Sequence, residues 1–227
     1  MAQARNHGLR FAIGGGFATM IYSGCWRETK DVDFFVLERD RDAMIQILID
    51  SGLDDYYERE AYERHWIYRG HKEDVIVDVI WAMANRRASV DEVWLDGPQI
   101  QVDGELISLV PPEETLWNKL YVLQRDRCDW PDILNLLHAI GPDLNWRHLI
   151  EQVGDDSNLL SGALSAFAWL SPDRARELPP SLWHELHAKP PDPGGVDPAP
   201  SRAPLLDSRP WFGPSVEKTG KAPEHES

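Results

Sequence analysis

Three carboxylates carry the chemistry this chain is equipped for. Asp31 and Asp33 are two residues apart and open the apolar run Phe34-Phe35-Val36-Leu37. In a strand, residues two apart share a face, so both acids point the same way. Neighbouring carboxylates repel each other and favour a cation between them. Asp78 lies in the middle of Val75-Ile76-Val77-Asp78-Val79-Ile80-Trp81, a run that is otherwise apolar. Burying an unpaired carboxylate there costs on the order of several kcal/mol. A divalent metal shared with Asp31 and Asp33 would offset that cost.

A second feature stands just upstream. The apolar run Leu9 to Ile13, long enough for a buried strand, leads into Gly14, Gly15 and Gly16. Glycine lets the backbone turn sharply and approach a ligand closely. Phe17 to Tyr22 reads as a short helix ending near Gly24. Glycines before a helix N-terminus make a natural anion site, because free N–H groups and the helix dipole face outward. The bland alternative is a surface acidic turn beside a ligand-free glycine loop, and Asp78 in its apolar strand weighs against it.

The elements that must position these residues follow in order. The spacing predicts a strand at the Asp31 run and an amphipathic helix over 39–51, ended by Ser51-Gly52. Strands are predicted over 65–69 and 74–81, with 70–73 as their turn, so that a hairpin delivers Asp78. Residues 83–98 read as irregular. Short strands at 99–102 and 106–110 flank Asp103-Gly104, a strong hairpin signal. Pro111-Pro112-Glu113-Glu114 opens a helix expected to run to about Arg127. Asp129 is the expected N-cap of a helix ending at Ile140, with further helices over 144–153, 159–170 and 172–187. This order gives an α+β fold: a small mixed sheet flanked by helices, then a helical C-terminal part. The expected divisions are 1–110, 111–187 and a proline-rich, disordered tail over 188–227, which holds nine of the seventeen prolines.

Composition narrows the setting. The chain has 227 residues and a net charge of −15, most of it in the first 150 residues. An acidic body suits metal binding or a cationic acceptor better than non-specific nucleic-acid binding. Cys25 and Cys128 stand far apart without metal spacing and are expected to be inert. Together with the absence of a secretory h-region, they point to the reducing cytoplasm. No apolar run approaches the ~20 residues of a membrane span. The eight histidines show no metal-ligand spacing, and neither a P-loop nor a G-x-S-x-G elbow occurs.

The combination of Gly15-Gly16 with Arg27-x-Thr29-x-Asp31-x-Asp33 and a later lone Asp78 resembles the DNA polymerase β-like nucleotidyltransferase superfamily. It looks most like small bacterial branches, the aminoglycoside and lincosamide nucleotidyltransferases and the AbiEii-type toxins. The resemblance implies the nucleotidyltransferase fold, usually with a helix before the first strand, although only about ten residues precede it here. It implies transfer of an NMP from an NTP, such as ATP, to an acceptor hydroxyl, with pyrophosphate leaving. Asp31, Asp33 and Asp78 would hold two Mg²⁺ ions, for which Mn²⁺ can substitute, and Asp78 would be the residue to accept the acceptor's proton. Gly15 and Gly16 would lie against the β- and γ-phosphates, with Arg27, Thr29 and Lys30 orienting the triphosphate or fixing the loop. Lys119, Arg125 and the pair Asp129/Asp132 match an AbiEii-like segment in which the Lys holds nucleotide phosphates and the first Asp lies near the active site. Lys119 sits on the apolar side of its helix and needs an anion, whereas the plain readings are a surface ion pair for Arg125 and an N-cap for Asp129. The acceptor stays open among a small molecule, tRNA or protein, and a cognate antitoxin or partner protein is a further expectation. The alternative is a catalytically silent interaction protein that keeps the fold.

Overall fold

A computed structural model describes residues 1–26, 29, 31–124 and 127–191. Arg27, Lys30, Arg125 and the tail from residue 192 onward, all named above, lie outside these residues.

In chain order the elements are α1 (Ala2–Asn6), β1 (Ala12–Ile13), α2 (Gly15–Ser23), β2 (Asp31–Phe35), α3 (Arg41–Asp50), β3 (Asp54–Asp55), β4 (Ile67–Lys72), β5 (Val75–Ile80), α4 (Glu92–Leu95), β6 (Gln99–Val102), β7 (Glu105–Ser108), α5 (Pro112–Leu120), α6 (Trp130–Ile140), α7 (Trp146–Val153), α8 (Ser157–Leu170), α9 (Pro172–Ala175) and α10 (Pro180–Glu185). Five strands form one mixed sheet in the order β1-β2-β5-β4-β3, and β6 and β7 form a separate ribbon. The chain therefore adopts the expected α+β architecture, a mixed sheet with helices followed by a helical C-terminal part.

The sheet's two faces bury different cores. Phe34, Val79 and Tyr68 pack with Met44, Ile47 and Leu48 of α3. Their immediate neighbours Phe35, Ile80 and Ile67 face the opposite way, into a core shared with Leu116 and Leu120 of α5 and Ile133, Leu134 and Leu137 of α6. This alternation follows from the two-residue period of a strand. It places Asp33, Asp78 and Arg69, each two residues from Phe35, Ile80 and Ile67, on the α5–α6 side. β2 and β5 run parallel with Asp33 opposite Asp78, and β4 pairs antiparallel with β5 so that Arg69 stands opposite Asp78.

Several boundaries differ from expectation. The first strand is only Ala12–Ile13, and α1 precedes it. The β4–β5 turn is Glu73-Asp74 rather than 70–73, because β4 continues through Gly70, His71 and Lys72 in register with β5. Glu73 takes a positive φ of 54° to close it. The region 83–98 contains α4, whose first amides are capped by the Asp91 carboxylate. Helix α5 stops at Leu120 instead of reaching Arg127; Leu123 and Cys128 pair as an isolated bridge, so the chain folds back where periodicity alone suggests it continues. The last expected helix is two, α9 and α10, divided before Pro180, with Pro179 at the N-cap position. The Asp103-Gly104 turn is as expected, both residues having positive φ.

Candidate functional site

The acidic cluster forms where β2 and β5 lie side by side. One carboxylate oxygen from each of Asp31, Asp33 and Asp78 lies within 4.8 Å of the others. Asp31 and Asp33 are half-buried and Asp78 is buried. An all-oxygen set of three carboxylates is the donor chemistry that Mg²⁺ or Mn²⁺ prefers. Burial, followed by the charges of Asp31 and Asp78, pushes Asp33 up to about 7, while Lys119 and Arg69 pull it down. Three carboxylates meet at one point, and the residues present fit a divalent cation.

Gly14 and Gly15 bring the backbone against this cluster. Gly14 donates its N–H to the Asp33 carbonyl at 3.0 Å. Gly15 has φ +56°, and a Cβ placed there would meet Asp33 Oδ2 at 1.7 Å. Only glycine fits at that distance. Helix α2 starts at this point, so the unpaired N–H groups of its first turn begin beside the carboxylates. Thr29 Oγ1 donates to the Asp31 carbonyl at 2.5 Å and stands 3.2 Å from Asp31 Oδ1. In this structure the hydroxyl braces Asp31.

Asp78 has a partner that the sequence reading did not name. Arg69 Nε donates to Oδ1 at 2.7 Å and Nη2 to Oδ2 at 2.6 Å. Arg69 Nη2 also lies 3.9 Å from Asp31 Oδ2. Burial raises the Asp78 pKa, and Arg69 opposes that rise. The partner that a buried carboxylate needs is therefore present within the protein, in addition to any metal shared with Asp31 and Asp33.

Lys119 is likewise satisfied from within the protein. Its Nζ donates to Asp129 Oδ2 at 3.1 Å and Asp132 Oδ2 at 2.7 Å, and all three side chains are less than a tenth exposed. Arg127 Nε adds a contact to Asp129 Oδ1 at 3.2 Å. Burial acts to raise the Asp129 carboxyl, but Lys119 and Arg127 outweigh it and hold the group below its ordinary range. Asp129 occupies the N-cap position of α6 but makes no side-chain cap bond, because its carboxylate is turned to the cations. Asp132 belongs to this cluster as fully as Asp129 does.

One cavity of about 190 Å³ joins these parts. Gly15, Gly16, Asp31, Asp33, Asp78, Arg69, Lys119, Arg127 and Asp129 all line it. Its other wall is apolar, with Phe35, Ile67, Ile80, Trp94 and Val110. Glu114 lines it too; the residue is 1 % exposed, its Oε1 is 2.5 Å from His148 Nε2, and its Oε2 has no hydrogen-bond partner. Neither Arg69 nor Glu114 was singled out in the sequence. The described site residues expected from the sequence, Gly15, Gly16, Asp31, Asp33, Asp78, Lys119 and Asp129, converge on this cavity; Thr29 stands behind it, against Asp31.

Among solved structures, the chain is similar to an antigenic nucleotidyltransferase-like protein from Paracoccidioides brasiliensis, with 19% identity, a TM-score of 0.50, and 84% of this chain and 90% of that one covered. It also matches the antibiotic-resistance factor ANT(2'')-Ia at 20% identity and TM-score 0.44, covering 82% and 92% of the two chains. A third match is the lincomycin-bound lincosamide antibiotic adenylyltransferase LnuA, at 19% identity and TM-score 0.44, over 60% and 90%. No protein-family model and no curated protein matches. The likeness is one of fold, and the fold is the nucleotidyltransferase fold. Among the described residues no helix is long and apolar enough to cross a membrane.

Proposed function

We propose that this protein is a metal-dependent nucleotidyltransferase that moves an NMP from an NTP to an acceptor hydroxyl and releases pyrophosphate. The observation that carries the reading is the convergence of Asp31, Asp33 and Asp78 within 4.8 Å, beside a glycine that leaves no room for a side chain. A bare acidic patch needs neither a buried Asp78 nor Gly15.

Asp31, Asp33 and Asp78 would hold the Mg²⁺ ions. When bound, the metal supplies charge neutralisation at the phosphates and lowers the pKa of the attacking hydroxyl. The chain's own residues do the rest. Gly15 and Gly16 offer backbone N–H groups, at the start of α2, to phosphate oxygens. Thr29 holds the Asp31 backbone through its hydroxyl. Lys119 and Arg127 line the same cavity as the acids, with their charges balanced by Asp129 and Asp132. The dense pairing of Lys119 with Asp129 and Asp132 makes it a fixed electrostatic post and a tie between α5 and α6.

The test is calorimetric titration with each non-hydrolysable NTP, with and without Mg²⁺, on the wild type and on Asp31→Asn/Asp33→Asn. The expected result is Mg²⁺-dependent binding of at least one NTP, lost in the double variant. Binding that is indifferent to both metal and substitution would move the reading to an interaction protein that keeps the fold.

A further inference from the structure

The acidic cluster contains a conflict. Asp78 is the buried member of the group that would hold metal, yet both of its oxygens already accept hydrogen bonds from one guanidinium. A bidentate guanidinium takes one lone pair from each oxygen, facing the carboxylate as a chelating cation would. The Arg69 head also lies 3.9 Å from Asp31 Oδ2, so it spans two of the three acids. Arg69 is 30 % exposed at its side chain against 2 % for Asp78. Both residues belong to the sheet, but the arginine side chain is the one open to solvent.

We propose that Arg69 is a resident counter-cation that competes with the metal for Asp78. Resting on the nucleotidyltransferase reading of the cluster, this makes metal entry an exchange of one cation for another. A lone divalent ion that chelates Asp78 must displace the bidentate guanidinium and leave it without its carboxylate partner. A metal–triphosphate complex brings its own acceptor oxygens, which a released guanidinium can bind in the same forked manner. The site therefore discriminates against free metal and takes the metal with its polyphosphate. Arg69 thereby acts as a positioning residue whose partner changes on loading.

The experiment measures Mn²⁺ binding by electron paramagnetic resonance, with and without a non-hydrolysable ATP analogue. It uses wild type, Arg69→Met, Arg69→Lys and Arg69→Met/Asp78→Asn. Without nucleotide, Arg69→Met should bind Mn²⁺ at least tenfold more tightly than wild type, and the added Asp78→Asn should remove the gain. Arg69→Lys keeps a cation but loses the fork, and should fall between; it also serves if the methionine variant does not fold without metal. With the analogue present, the advantage of Arg69→Met should shrink or reverse, because the released guanidinium no longer contributes. Unchanged or weaker Mn²⁺ binding in both Arg69 variants, while wild type still binds Mn²⁺ with the analogue, would overturn the competition and leave the metal site standing. No Mn²⁺ binding by any variant, with or without the analogue, would overturn both.

Discussion

Replacing Gly15 by alanine tests the site's geometry without removing a charge. Gly15 has φ +56°, and the added Cβ would fall 1.7 Å from Asp33 Oδ2 and 2.6 Å from its Cγ. Left-handed backbone costs an alanine roughly 1–2 kcal/mol. Forcing Asp33 from its rotamer adds about 0.5–1.5 kcal/mol. Gly24 supplies the control, since it is left-handed at φ +66° and ψ 4° but an added Cβ there meets nothing within 4 Å. It has the backbone cost without the collision, and the entropy that alanine removes from the unfolded chain is common to both variants. Gly15→Ala should therefore lose about 1.5–3.5 kcal/mol and Gly24→Ala about 1–2, or about 8 °C against about 4 °C in Tm at the middle of each range for a chain of this size. The assay is thermal unfolding of both variants and of Gly15→Ala/Asp33→Ala, read with Mn²⁺ affinity. Shortening Asp33 should erase the excess loss in the double variant, a coupling expected only of residues in contact. Gly15→Ala should weaken Mn²⁺ binding, and Gly24→Ala should leave it unchanged. Equal Tm losses in the two single variants would refute the claim that Gly15 is there to make room for Asp33.

Three further outcomes follow from the buried charges. Lys119→Met strips Asp129 and Asp132 of the cation they share and should cost about 3–5 kcal/mol in urea unfolding; adding Asp129→Asn and Asp132→Asn should recover much of it, and a wild-type midpoint for the single variant would show that the cluster contributes nothing. Asp33 has its folded pKa raised from 3.8 to about 7, so between those values the native state binds more protons than the unfolded chain. Its contribution makes the metal-free protein lose stability as pH rises from about 4 to 7, and Asp33→Asn should flatten that slope in pH-dependent denaturation; an identical slope would mean Asp33 does not titrate there. His148→Ala removes the partner of Glu114 Oε1 and leaves a buried carboxylate without a hydrogen bond at either oxygen, which should cost about 1–3 kcal/mol. Glu114→Met in the same background should restore stability; if it does not, the orphaned carboxylate was not the cause.

The acids were legible in the sequence because their signals are local. Asp31 and Asp33 carry the two-residue period of a strand, and Asp78 interrupts an apolar run. Arg69 was hidden by a small error of register. Placing the turn at 70–73 sets Arg69 opposite Asp74, whereas the two-residue turn at Glu73-Asp74 sets it opposite Asp78. The signal that could have revealed the pair was the buried acid itself, whose cross-strand partner under a two-residue turn is an arginine. Helix α5 was drawn too long for a related reason: Leu116, Leu120 and Leu123 keep a helical period, but Lys119 meets Asp129 only if the chain turns back after Leu120. Glu114 and His148 come together from α5 and α7, 34 residues apart, and no short-range pattern encodes that meeting.

The pairing of β2 with β5 has a consequence for how the protein comes to be. Asp33 and Asp78 are opposite each other in a parallel register, with about 45 residues of helix and hairpin between them. Parallel pairing of distant segments is slow, because the loop entropy is lost before the contacts form. The β4–β5 hairpin needs only its two-residue turn, so Arg69 can meet Asp78 early, before Asp31 and Asp33 arrive. On the ribosome, the first two acids emerge well ahead of the third and lack their β5 neighbour until that strand is made. The three-acid cluster is thus a product of the completed sheet, and a chain stalled or truncated before residue 78 would carry two of its three acids and no assembled site.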